Sequence, residues 1–397
     1  MTSRERILSA LQHRRPDRIP VDLGASESSG IMGIAYNRLR EHLGLDGRTQ
    51  IYDIGQMIAK VEEPVLDTIG ADAMALLIEP RRWKPWTLQD GSPCEIPAGL
   101  EIVERDGGWA IPRDDGTPAA LCPRGGYYFD PVHPPLADAE RPEDIEAGIG
   151  HLQSFDWPEY MDESYRDLGA KARCLHEETD RCIVGNLWVH VLAAGQILRG
   201  FENFMIDLAS DKALAHHLMG RLIDCYAHRV RRYIEAVGEH VDVIQVNDDL
   251  GTQNGLQISP ELYREMIKPY HRRLWEMIKR LSGKPLLLHS CGSIYELIPD
   301  LIEIGVDAIN PVQVSAENMD GALLKREFGG DLAFWGGGCD TQLVLGRGTP
   351  DQVRDEVRRR VDQFGDDGGF VFCQVHNIQH DVPPENVMAM YDALEQM

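Results

Sequence analysis

The chain has no excess of basic residues: Lys and Arg total 40 against 64 Asp and Glu, a net charge of −24. Nucleic-acid binding rests on basic stripes that neutralise phosphates, so this balance argues against a nucleic-acid partner. Long apolar runs are also missing. Nothing in the 397 residues approaches the roughly 18 consecutive apolar residues that span a bilayer, and the opening Met1-Thr-Ser-Arg-Glu-Arg-Ile-Leu8 lacks the apolar centre of a secretory leader. A cytoplasmic protein with no membrane partner is expected. The eight cysteines fall at irregular spacings, which make no disulfide framework; they are expected to be buried hydrophobes, metal ligands or nucleophiles. Phosphate-binding motifs are absent as well: no Lys-Ser or Lys-Thr follows Gly336-Gly-Gly338, and no GxGxxG opens a helix, so that triplet reads as a turn.

What is present is a large apolar share, 43%, enough for a sizeable core. Buried-type strands are expected at 19–24, 71–78, 182–189, 241–248, 285–289, 306–312, 332–336 and 369–375. Helical patterns alternate with them, beginning with 3–13, capped by Ser3, and including 57–69 and 163–179. Eight strands in βα repeats predict a (β/α)8 TIM barrel in a single domain, 1–397. A doubly wound sheet is the alternative. Polar residues gather at the strand C-terminal ends, which share one mouth in a barrel but spread along an edge in an open sheet. Residues 80–136 differ in character: Trp83, Trp86, Trp109 and Tyr127 to Phe129 alternate with Asp106-Gly-Gly108 and Asp115-Gly116, the marks of a β-hairpin insertion. Acidic, proline-marked sequence at 137–156 leads back to the repeats.

The sharpest chemical signal is Leu288-His-Ser-Cys-Gly292. Residues two apart on a strand point the same way, so the His289 imidazole and Cys291 thiol are expected to converge. Cys373, ending the last strand, is the expected third ligand of a zinc site with one open position. Cys339 is a competing thiol, Asp249 or Glu27 could complete the shell, and the alternative is two core thiols beside a hydrogen-bonded histidine. At the end of the fourth strand, Asp248 and Asp249 are candidates for handling a proton, with helix capping as the structural alternative. Asn186, Asn247, His376 and Asn377 are candidates for substrate binding or for orienting a ligand.

Three stretches carry a family resemblance: Arg4-Glu-Arg-Ile-Leu-Ser-Ala-Leu-Gln-His13 with Arg15-Pro-Asp-Arg-Ile-Pro20, Leu288-His-Ser-Cys-Gly-Ser293, and Phe334-Trp-Gly-Gly-Gly-Cys-Asp-Thr-Gln342. They resemble the uroporphyrinogen decarboxylase superfamily and, more narrowly, its corrinoid-dependent methyltransferase branch. The resemblance implies a TIM barrel. It also implies a zinc held by a His-x-Cys and a distant Cys, as in methylcobamide:coenzyme M methyltransferases, at positions matching His289, Cys291 and Cys373. Other members of the branch pass methyl groups from methoxylated aromatics or methylamines to a corrinoid protein. The decarboxylases themselves hold substrate carboxylates with paired arginines in the first strand-loop, and Asp22 to Gly30 contains none. The implied function is therefore zinc-dependent methyl transfer between a small molecule and the corrinoid (cobalamin) of a partner protein, since the chain lacks the Asp-x-His-x-x-Gly pattern of cobalamin carriers. The tryptophans of the insertion favour a methoxylated aromatic donor. The rivals are a metal-free decarboxylase and a thiol or pterin methyltransferase. Homo-oligomerisation is left open.

Overall fold

The computed structural model describes residues 1–154, 157–158, 160–365 and 367–396; Phe155 and Asp156, which end the acidic linker, lie outside them. Seven parallel strands pair strictly in chain order: β1 (Ala73–Leu76), β2 (Cys182–Asn186), β3 (Val243–Asn247), β4 (Leu286–His289), β5 (Ala308–Asn310), β6 (Ala333–Trp335) and β7 (Phe370–Val371). Helices join each strand to the next. The sheet then closes on itself. Val21 bridges Phe372 in parallel, the Phe372 N–H donates to the Pro20 carbonyl at 2.8 Å, and the Asp72 N–H donates to the Val21 carbonyl at 2.7 Å. The segment at Val21 thus takes the eighth place, and the fold is the expected (β/α)8 barrel. It is far shorter than the expected strand 19–24, because Pro20 withholds a ladder N–H and Gly24, at φ +79°, turns the chain away.

Strand alternation divides the apolar residues into two sets. Ile183, Ile244, Leu288, Ile309 and Phe334 face the surrounding helices, whereas Cys182, Val184, Val243, Leu287, Ala308, Trp335, Val371 and Cys373 fill the barrel interior. Helix α1 (Ser3–Leu11) plugs the bottom of that interior with Ile7, Ala10 and Leu11. Its cap is Thr2 rather than Ser3, in a capping box with Glu5. The charged residues of the N-terminal motif serve this plug: Arg6 Nη1 meets buried Asp72 at 2.5 Å and Arg6 Nε meets Asp17 at 2.6 Å, while Arg18 Nη1 meets Asp72 at 2.7 Å.

Elsewhere, the expected helix 57–69 is confined to Glu63–Thr68, because Ile58–Ala59 pairs with Ile51–Asp53 as a small antiparallel ribbon. The acidic linker holds a helix, Pro142–Ser154, with Glu143 and Asp144 in its first turn where the helix dipole favours them. Between Trp83 and Pro131 lie two antiparallel sheets. Asp106 (φ +52°) and Gly107 (φ +77°) form a hairpin tip, and Trp86 packs edge-on against Trp109 at 5.6 Å. The far end of this region reaches the barrel mouth, where Tyr127 stacks on His380. Among the described residues no helix is long and apolar enough to cross a membrane.

Candidate metal centre

His289 ends β4 on the interior face, above Leu287. Its Nδ1 lies 2.9 Å from Asn310 Oδ1 on the neighbouring strand, which makes that nitrogen the N–H donor and turns Nε2 towards the site. Nε2 lies 3.5 Å from Cys291 Sγ. The ring of His376 stands edge-on to that of His289 at 5.6 Å, and ligand atoms of His289, Cys291 and His376 all lie within 4.8 Å of one another. The rest of the motif is scaffolding. Ser290 Oγ accepts the Leu250 N–H at 3.0 Å, and Gly292 (φ +85°) packs backbone to backbone on Gly251, where a Cβ would meet the Gly251 carbonyl carbon at 2.4 Å. This pins the turns after β3 and β4 together and brings Asp249 to the site: its Oδ1 accepts the Cys291 N–H at 2.8 Å and lies 3.6 Å from His289 Nε2.

The donor set fits zinc. Tetrahedral zinc, with Zn–S near 2.3 Å and Zn–N near 2.0 to 2.1 Å, places sulfur and nitrogen about 3.5 Å apart, and His289 and Cys291 stand at 3.5 Å. Burial, with His289 close by, holds His376 down to about 4, so its imidazole is neutral and offers a lone pair. Burial, and then Asp249, pushes the Cys291 thiol well above its usual value. A cation at this point would reverse that and favour the thiolate.

Cys373 stands elsewhere than expected, and Cys339 and Asp248 take the structural one of their two alternatives. Cys373 is not brought to the group: its fully buried sulfur lies in the interior 4.0 Å from Asn310 Nδ2, beneath Gly336, and His376 takes the third place. The glycines at 336–338 exist for this close packing, since a Cβ on Gly338 would meet Phe372 at 2.3 Å. Cys339 is a buried core thiol outside the group. Asp248 faces away from the mouth. Its carboxylate accepts the N–H groups of Val191, Leu192 and Ala193 at 3.0, 2.7 and 2.8 Å, capping helix α2 (Leu192–Arg199), and meets His271 Nε2 at 2.7 Å. Burial opposes its ionisation, but the hydrogen bond and charge of His271 outweigh it and hold the carboxyl below its usual value. Asp249, by contrast, is half-exposed beside the donors.

The polar candidates line the mouth around Glu27. Asn247 takes a hydrogen bond from Gln245 at 2.7 Å and donates to Glu27 Oε2 at 3.4 Å. Asn377 donates to the Glu27 carbonyl at 2.9 Å and accepts from the Gly30 N–H at 2.7 Å, so it shapes the first loop. Asn186 Nδ2 reaches the Ala25 carbonyl at 3.3 Å; its Oδ1, like Gln245 Oε1, is buried without a partner among the described residues. Gln245 and Asn310 stand outside the expected site residues, although Asn310 is one of the polar residues expected at the strand ends; their signal is interior parity with Val243 and Ala308.

Removal from water, with Asp53 adding repulsion, pushes the Glu27 carboxyl up to about 8. A raised carboxyl favours folding while protonated, so this contribution is full below the ordinary value of 4.5 and is lost as pH rises to about 8. Glu27→Gln is therefore expected to unfold at a higher denaturant concentration than the wild type at pH 8 and at an equal one near pH 4.5; parallel stability curves would contradict this.

Comparison with known proteins agrees with this architecture. Residues 181–397 match the family model Uroporphyrinogen decarboxylase (URO-D). The chain is 25% identical to the uroporphyrinogen decarboxylase of Chlorobaculum tepidum over 186 residues, 46% of this chain and 49% of that protein. It is 27% identical to the methylated-thiol–coenzyme M methyltransferase of Methanosarcina mazei over 262 residues, 65% of this chain and 66% of that one. A methyltransferase structure from Methanosarcina mazei shares the fold, with a TM-score of 0.63 at 16% identity, covering 100% of this chain and 99% of the other. The chain spans about half the length of the decarboxylases it matches. Because the family match takes in more than half of its residues, the chain belongs to the uroporphyrinogen decarboxylase (URO-D) family.

Proposed function

We propose that the protein is a zinc-dependent methyltransferase that moves a methyl group between a small molecule, a methoxylated aromatic, and the corrinoid of a partner protein. The observation that carries this reading is the donor set of His289, Cys291 and His376 at the open end of the barrel, with Asp249 at its edge. Zinc held there would supply Lewis acidity towards an ether oxygen or a thiol. The chain's own residues prepare that site: Asn310 orients His289, the Cys291 backbone holds Asp249 in place, and Asp249 takes or returns a proton at Oδ2, since Oδ1 is engaged. The decarboxylase alternative is disfavoured by the first loop, Asp22 to Gly30, which carries no arginine where a polyanionic tetrapyrrole would need cations. Incubation of the zinc-loaded protein with 2-methoxyphenol, a reduced corrinoid protein and a low-potential reductant should give a methylated corrinoid, read from its absorption spectrum, and His289→Ala should abolish it. Absence of methylation with every methoxylated donor, or activity unchanged in His289→Ala, would contradict the proposal.

A further inference from the structure

Asp249 belongs to two features at once. One is the donor set, 3.6 Å away at His289 Nε2. The other is a cleft of about 390 Å³ between the β3 exit loop and the starts of α2 and α3 (Phe201–Ser210), lined by Ala193, Gln196, Phe201, Asp249, Leu256 and Gln257. Gly200, at φ +88°, makes the sharp break between the two helices and so sets Phe201 over the cleft. The Phe201 ring is 60% exposed, although it lies beside a cavity that could accept an apolar partner. The opposite, polar wall is held in place: Gln196 Nε2 donates to Gln257 Oε1 at 2.8 Å, and Gln257 Nε2 donates to the Asp249 carbonyl at 3.0 Å.

We propose that this cleft is the subsite for the part of the methyl donor that is not transferred, and that it takes an uncharged aromatic ring laid against Phe201 and Leu256, its methyl-bearing end at Asp249. The inference rests on the methyl-transfer reading above and adds the place where the ring of the donor is held and the residues that select it. Size supports it, because the volume falls near the lower end of the roughly 300 to 1,000 Å³ of small-molecule sites, enough for one substituted ring and too little for a tetrapyrrole. Charge supports it too. The single charged group among the lining residues is the Asp249 carboxylate, which repels a sulfonated or carboxylated ligand and leaves an uncharged ring unpenalised. An exposed phenylalanine with an aliphatic neighbour is the surface on which a ring gains most by stacking.

The test is calorimetric titration of the zinc-loaded full chain with 2-methoxyphenol and, separately, with 2-mercaptoethanesulfonate. The wild type should bind the ring compound and bind the sulfonate far more weakly. Phe201→Ser should weaken ring binding about tenfold while leaving zinc content and melting temperature unchanged, because the side chain is exposed and makes little of the core. Where turnover is measured, the loss should appear in KM and not in kcat. Equal affinity of wild type and Phe201→Ser overturns the assignment, as does tighter binding of the sulfonate or no binding of the ring. Methyl transfer that still depends on His289 in any of those cases leaves the proposed function standing and removes only the cleft; ring binding without methyl transfer does the reverse.

Discussion

Replacing His376 by alanine is expected to strip the metal from the protein and abolish methyl transfer, whereas Cys373→Ala keeps both. The first change removes one of three donors whose atoms lie within 4.8 Å of one another. Altering even the groups behind a ligand commonly costs 10 to 100-fold in metal affinity, so loss of a ligand itself should cost about 100-fold or more. The second change removes a sulfur that is sealed in the barrel interior and faces Asn310. Zinc content after dialysis against a competing chelator separates the two variants. Retention of zinc by His376→Ala together with its loss from Cys373→Ala would return the third place to the thiol.

The adjacent carboxylates should behave as differently as they are placed. Asp248→Ala removes the acceptor of three backbone N–H groups at the start of α2 and takes from buried His271 the partner of its Nε2, leaving Nδ1 on the Tyr263 hydroxyl. Breaking such a buried pair costs about 3 to 5 kcal/mol, with loss of the cap contributing to it, so the midpoint of urea unfolding should fall steeply. Asp249→Ala should move stability by less than about 1 kcal/mol, since its side chain is half-exposed, while turnover drops sharply. An Asp248→Ala protein as stable as the wild type would show that its carboxylate is not the cap the geometry makes it.

The barrel could be read from the sequence because its evidence is redundant. Runs such as Leu286-Leu-Leu288 and Ala333-Phe-Trp335 are apolar on both faces, as strands buried between a core and a helix layer must be, and helical periods separate them. The pair His289 and Cys291 was legible for a local reason, since both lie within one strand exit. The third donor depended on stagger between strands. His289 pairs with Asn310, the Ile309–Phe334 pair sets the next residues Asn310 and Trp335 side by side, and Trp335 pairs with Val371, while the tilt of barrel strands lowers the level by about 3 Å at each step. Cys373, two residues above Val371, therefore remains inside, and the chain reaches the donors only at His376. Parity gave the correct face for Cys373 and the wrong height, because height comes from tertiary closure. Asp248 illustrates a second limit: helix capping is one of its two readings, but the helix it caps, α2, begins some 55 residues earlier in the chain. Contacts of that separation leave no local pattern to read.

The most direct test of the metal centre is X-ray absorption at the zinc edge of the purified protein. The account predicts one zinc per chain, bound by two imidazole nitrogens from His289 and His376 and a single sulfur from Cys291, with the remaining position taken by oxygen. A protein that holds no zinc, or a zinc with two sulfurs in its shell, would contradict it.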